Sequence, residues 1–264
     1  LLTPFKKATC VSHHLAHAYS AYYLSPFTNS IVIVWDGIGS YMGQITENIS
    51  LSSSDQSGLR LYEAESFYLA KANDIIPIKK RGVPNPKEVM EIETLPADVS
   101  VNFEQSLGNM YSSVSSYIFG DWRESGKVMG LAAYGKTDRF ADVKLIEKND
   151  LDLKVIGYDF MQNMHSPNDW NEANIQGYRD LAYKVQAELE DAALHIATKL
   201  YERHRIPNLC IAGGIGLNCI ANGKLLLNSG YKSIFLPPSP GDSGSALGAA
   251  FFGYLQEGSS RNRF

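Results

Sequence analysis

The chain has 264 residues, 44% of them hydrophobic and 20% charged, enough to bury one substantial core or two modest ones. Its 24 basic and 28 acidic residues leave a net charge of −4, which excludes a strongly basic nucleic-acid footprint. No apolar run reaches the ~20 residues that span a bilayer, and the opening Leu1–Lys7 lacks signal-peptide architecture.

Near the start, Ser12-His13-His14-Leu15-Ala16-His17 gathers three of the six histidines. In a helix, residues four apart share a face, so His13 and His17 present two imidazoles to one point, which is a metal-ligand spacing. Such a pair also arises on solvated helices, and a metal site needs further ligands to close it. His14 is turned about 100° away onto a different surface. Position 14 is not Glu, so the zinc-protease signature is absent.

Ser30-Ile31-Val32-Ile33-Val34-Trp35 reads as a buried strand, and Asp36 at its end points into the crevice where open α/β sheets collect ligands. Tyr41–Glu47 reads as its hairpin partner, with Gly37 and Gly39 in a connection whose backbone N–H groups suit a phosphate. Residues 50–60 are Ser-rich and predict a loop. From 70 to 100 the text is broken by Pro77, Pro84, Pro86 and Pro96 and reads as an irregular excursion. A helix is predicted over 103–119, with Leu107, Met110, Tyr111, Val114 and Ile118 as its core stripe.

Gly126 to Gly135 reads as a tight, glycine-bounded helical turn in which Lys127 suits an anionic group, although packing explains its small residues equally well. The longest helix is predicted over 177–205, with Leu181, Val185, Leu189, Ala192, Ile196 and Leu200 repeating at three and four. Gln186 and Glu190 lie one turn apart on it, as solvated residues or as polar support for a site. A strand over 207–212 then enters Gly213-Gly214-Ile215-Gly216-Leu217-Asn218, and a helix begins at Cys219. A glycine-rich strand-to-helix turn aims N–H groups at an anion or nucleotide, though such turns use glycine for purely structural reasons too. Asp242 falls in the Pro/Gly loop 237–245 before the small-residue helix Ala246–Ala250, as a turn former or as a further ligand. Two imidazoles and two carboxylates suit Fe(II), Mn(II) or Zn(II). Cys10, Cys210 and Cys219 are odd in number and widely separated, predicting reduced core thiols and a cytoplasmic location.

The segments His13-His14-Leu15-Ala16-His17-Ala18, Asp36-Gly37, Lys127 to Gly135, Ala212 to Asn218 and Gly241 to Ala250 together resemble the carbamoyltransferases of the nodulation and antibiotic-tailoring type. These are similar in turn to the threonylcarbamoyl-transfer enzymes of tRNA modification. The resemblance implies an α/β actin/Hsp70-like (ribonuclease H-like) nucleotide-binding fold. It also implies an iron(II)-type metal held by His13, His17, Asp36 and Asp242. Carbamoyl-adenylate, made from carbamoyl phosphate and ATP, is expected against Gly37, Gly39, Gly130, Gly213, Gly214 and Asn218. A hydroxyl of the acceptor then attacks the carbamoyl carbon. Lys127 is expected to offset negative charge and His14 to serve as a polar or acid–base group.

Enzymes of that family carry a segment before the histidine motif and a C-terminal carbamoyl-adenylate-forming domain. The resemblance therefore assigns residues 1–264 to most of the catalytic domain, with neither flanking part visible. It predicts that this chain alone does not complete transfer and that exposed apolar surface favours its self-association. Leu15 and Ala16 stand where the tRNA-type relatives have an acidic residue, which favours a hydroxylated small molecule as acceptor, with no nucleic-acid or membrane partner. Two other readings are an inactive nucleotide-binding interaction module and a metal-dependent hydrolase that activates water.

Overall fold

The β-branched run ending at Trp35 forms the centre of the molecule. In β1 (Asn29–Trp35) every residue from Ser30 onward is buried, the pattern of a strand covered on both faces. The computed structural model describes residues 9–49, 60–85, 105–156 and 174–258. β1 is the middle strand of a five-stranded mixed sheet with β2 (Leu61–Lys71), β3 (Asp74–Pro84), β6 (Asn208–Ala212) and β7 (Ser233–Phe235), in the order β3-β2-β1-β6-β7. The β1–β2 and β2–β3 pairs are antiparallel, whereas β1–β6 and β6–β7 are parallel. β4 (Ile146–Asn149) and β5 (Asp152–Val155) form a separate hairpin.

Side-chain alternation along β1 sorts two cores. Val32 and Val34 pack with Leu15, Ala18 and Tyr22 of helix α1 (His13–Leu24), and with Phe251 and Phe252 of helix α6 (Asp242–Gln256). Ile31, Ile33 and Trp35 face the larger core with α2 (Leu107–Phe119), α3 (Ser125–Ala132), α4 (Ile175–His204) and α5 (Cys219–Asn228). All six residues of the predicted stripe on α4 are buried, as are the five on α2.

Three expectations are corrected. Tyr41–Glu47 is not the hairpin partner of β1: Met42–Gln44 is a 3-10 turn with a single bridge from Tyr41 to Tyr62, and β2 pairs with β1 instead, Asn29 opposite Lys71 and Trp35 opposite Glu65. Residues 70–84 are not an excursion. They end β2 and form β3, and Pro77 and Pro84 are tolerated because β3 is an edge strand of the sheet among the described residues. Only Cys210 is a core thiol; Cys10 and Cys219 are exposed. The Ser-rich loop predicted over 50–60 and the remainder of the excursion, from 86 on, lie almost wholly outside the described residues.

Candidate metal centre

Three elements deliver four ligand-type side chains to one point. α1 supplies His13 and His17, the loop after β1 supplies Asp36, and the first residue of α6 is Asp242. His13 Nε2 lies 2.9 Å from Asp36 Oδ2, 3.1 Å from His17 Nε2 and 3.4 Å from Asp242 Oδ1. His17 Nε2 is 3.6 Å from Asp36 Oδ2 and 3.6 Å from Asp242 Oδ1. One ligand atom from each of the four fits within a 4.8 Å span.

The orientation of Asp36 is set by the backbone around it. Its Oδ1 accepts the N–H groups of Gly37 at 2.9 Å and Gly214 at 3.2 Å, which leaves Oδ2 aimed at the imidazoles. Gly213, at φ +88°, lets the turn after β6 come this close: a Cβ there would sit 2.6 Å from the Trp35 carbonyl carbon. Asp242 is placed by close packing of α6 on α1 through Gly248. A Cβ at 248 would lie 2.5 Å from the Ala16 carbonyl carbon and 3.0 Å from Ser20 N.

The four residues fit a divalent ion. With metal–donor bonds of ~2.1 Å, donors lie ~3.0 Å apart at right angles and ~3.4 Å apart in a tetrahedron. The five separations above, from 2.9 to 3.6 Å, match those spacings. His17 and Asp36 are buried and Asp242 is exposed, so the cluster has one solvent-facing side. An imidazole–carboxylate set of this kind suits Fe(II), Mn(II) or Zn(II). In the metal-free chain the same groups compete for protons. Burial works to lower the His17 pKa, but the carboxylates of Asp242 and Asp36, each 3.6 Å from its Nε2, outweigh that and raise it to about 9. Burial opposes ionisation of Asp36, yet the His13 hydrogen bond and the neighbouring His17 imidazole hold its carboxyl well below the usual range. The nearby His17 imidazole lowers Asp242 likewise.

Other predicted site residues take different places. His14 is completely buried, with Nδ1 2.8 Å from Ser66 Oγ, and burial drives its pKa down to about 4. Its imidazole is buried against Ser66 and Gly39 and does not join the four-ligand cluster. Lys127 is not brought to the cluster: its ammonium pairs with Glu124 at 2.9 Å and lies 5.9 Å from the centre of the Phe119 ring. Gly130 is exposed on α3, with open space where a Cβ would stand. Asn218 caps α5 by accepting the Ala221 N–H at 3.0 Å, and its amide is otherwise consumed by a reciprocal pair with Gln186, at 3.0 and 2.8 Å. Gln186 is buried and also accepts from Tyr111, so it is not a solvated residue. Gly39 lies against Glu63 and His14.

Sequence reasoning passed over Glu63, Lys80 and Ser40. Lys80 is buried and bridges Glu63 and Glu47, while Ser40 Oγ accepts the His13 N–H at 2.9 Å. The available signal was two glutamates within the apolar run 61–71 and three successive cations, Lys79, Lys80 and Arg81, on the next segment. Strand-paired, opposite charges in such runs neutralise each other.

A family model described as carbamoyltransferase N-terminus matches residues 3–251. An uncharacterized Synechocystis sp. protein is 30% identical across 90% of this chain and 35% of its own length. Nodulation protein NolNO of Sinorhizobium fredii is 29% identical across 96% of this chain and 32% of its own length. The chain thus spans about a third of the length of these relatives. Among solved structures, HypF of T. kodakarensis superposes with a TM-score of 0.54 at 16% identity, covering 94% of this chain and 37% of that one. A full-length HypF in a phosphate- and nucleotide-bound form gives 0.56 at 12% identity, covering 96% of this chain and 44% of that one. At these identities the two structures show likeness of fold.

Proposed function

The chain belongs to the carbamoyltransferase N-terminus family, and from that premise we propose that it supplies the metal-holding and nucleotide-facing part of an ATP-dependent carbamoyl transfer to a hydroxyl group. The convergence of His13, His17, Asp36 and Asp242 on one point carries this reading. The strand order β3-β2-β1-β6-β7, with only β2 antiparallel to the rest of its neighbours' direction, supports an actin/Hsp70-like (ribonuclease H-like) fold.

When bound, an iron(II)-type ion would act as a Lewis acid and template for a carbonyl or phosphate oxygen. The chain's own residues do the positioning. Asp36 is pre-oriented by two backbone N–H groups, and His13 and His17 are held one helical turn apart with both Nε2 atoms facing the same point. Exposed Asp242 borders the side from which a substrate approaches. In the proposed reaction an acceptor hydroxyl oxygen bonds to the carbamoyl carbon of carbamoyl-adenylate as the bond from that carbon to the phosphate oxygen breaks; AMP leaves with that electron pair and the hydroxyl proton passes to solvent. The glycine turn at Gly213–Gly214 is the proposed neighbour of the adenylate. Because Gly214 N–H is already given to Asp36, the turn links nucleotide position to ligand orientation.

The test combines metal content with product mass. Nodulation protein NolNO of Sinorhizobium fredii, with this chain in place of its matching segment, is incubated with Fe(II), ATP, carbamoyl phosphate and hydroxylated acceptors. A carbamoyl mass gain that is lost in His17→Ala supports the proposal. Phosphate release without an acceptor product favours a metal-dependent hydrolase.

A further inference from the structure

β2 carries two glutamates two residues apart, and they reach opposite faces of the sheet. Phe67 belongs to the core of α2 and α4, while Tyr68 and Ala70 belong to the core of α1. Alternation places Glu65 with Phe67, and its Oε1 indeed accepts the Leu107 N–H of α2 at 2.9 Å. Strict alternation would send Glu63 to that same face. Instead the register slips: Glu63 stands opposite Gly82 and Glu65 opposite Arg81, so Ala64 is an extra residue. A bulge of this kind re-aims a side chain. It turns Glu63 to the α1 face, beside the buried Lys80 ammonium.

There one carboxylate joins two of the three segments that carry metal-ligand side chains. Glu63 Oε2 accepts the N–H of His14 at 3.1 Å and the N–H of Ser40 at 3.0 Å. Its backbone pairs with the same loop, Gly39 N to Glu63 O at 2.7 Å and Glu63 N to Ser40 O at 2.9 Å. Ser40 Oγ then accepts the His13 N–H at 2.9 Å, so two N–H groups of the first turn of α1 are fixed through Glu63 and Ser40. The nominal N-cap, Ser12, makes no side-chain cap bond; its hydroxyl goes to Glu47 at 2.6 Å. Gly39 is glycine because a Cβ there would stand 2.8 Å from Glu63 Oε2. A buried ion pair such as Glu63–Lys80 adds little net stability compared with apolar packing, but its fixed geometry can specify one arrangement.

We propose that Glu63 is a positioning residue that locks the His13/His17 helix to the Asp36–Ser40 loop and so sets the spacing of the metal ligands; the metal part of this role rests on the reading above. The test uses the 264-residue chain with Co(II) as probe, comparing wild type, Glu63→Gln and Glu63→Ala. Glu63→Ala is expected to weaken Co(II) binding about 10- to 100-fold and to change the visible absorption of the bound ion. Glu63→Gln, which keeps one acceptor oxygen, is expected to lose several-fold. In metal-free protein, amide exchange at 13–17 and 37–40 should rise together while exchange along α4 stays unchanged. Wild-type affinity and spectrum in Glu63→Ala, or a uniform rise in exchange that includes α4, overturns the proposal. Should the alanine variant fail to fold, Glu63→Gln carries the test, and wild-type affinity and spectrum there overturn it equally. If wild type itself binds no Co(II), the metal reading fails; the exchange comparison still decides whether Glu63 couples the two segments.

Discussion

Gly248→Ala should damage the ligand cluster from a distance, through helix packing alone. A Cβ at 248 meets the Ala16 carbonyl carbon at 2.5 Å and Ser20 N at 3.0 Å, both backbone atoms of α1 that cannot swing aside. Ordinary contact is near 3.5 Å, so α6 must retreat by roughly 1 Å. Overpacking of this kind costs about 1–3 kcal/mol, partly offset by the ~1 kcal/mol that alanine gains over glycine inside a helix. The expected net loss is about 1 kcal/mol in urea unfolding of the metal-free chain. Asp242 sits six residues before Gly248 on the same rigid helix, about 9 Å along its axis, and moves with it. Its Oδ1, now 3.4 and 3.6 Å from the two imidazole nitrogens, then leaves the range that a single ion can bridge, and metal affinity should fall about 10-fold or more. Gly253→Ala is the matched control. It lies in the same helix with nothing within 4 Å of its added Cβ, and should raise stability by up to ~1 kcal/mol without touching metal affinity. If Gly248→Ala stabilises the chain and binds metal as Gly253→Ala does, close packing of α6 on α1 does not position Asp242.

Elemental analysis after anaerobic purification with iron should find about one ion per chain, and His17→Ala should lose most of it; unchanged content would remove His17 from the ligand set. With its folded pKa raised to about 9 from 6.5, His17 stabilises the metal-free chain below pH 6.5, and this stabilisation is lost as pH rises through 9. Metal must displace that proton, so calorimetry near pH 7.5 in buffers of different ionisation enthalpy should show close to one proton released per ion, and binding without release would contradict the assignment. Gly213→Ala should cost more stability than Gly214→Ala, by about 2 kcal/mol, because it adds positive-φ strain to a clash with the Trp35 carbonyl; equal unfolding midpoints would argue against it. Asn218→Ala should lose about 1 kcal/mol as an N-cap and at least as much again by leaving the buried Gln186 amide unpaired, which a double-mutant cycle with Gln186 can separate.

Local information was enough for the elements whose period is unambiguous. β1 and α4 follow from β-branched content and a three-and-four repeat, and the glycine-rich turn from Gly213 marks the start of α5. The facing of His13 and His17 was also legible, since four residues of helix rotate a side chain back to nearly the same direction. The sequence could not show that Asp242 joins them, because that contact depends on how closely α6 rides on α1, a distance set by Gly248 against Ala16 and Ser20. Nor could it show the partner of β1, since Tyr41–Glu47 and Leu61–Lys71 are both plausible strands until pairing selects the longer one. The bulge at Ala64 is of the same kind. Period-two reading puts Glu63 and Glu65 on one face, and only the register against β3 separates them. Sequence by itself determined which side chains repeat along each element; tertiary structure decided which elements meet, because meeting distances depend on atoms far apart in the chain.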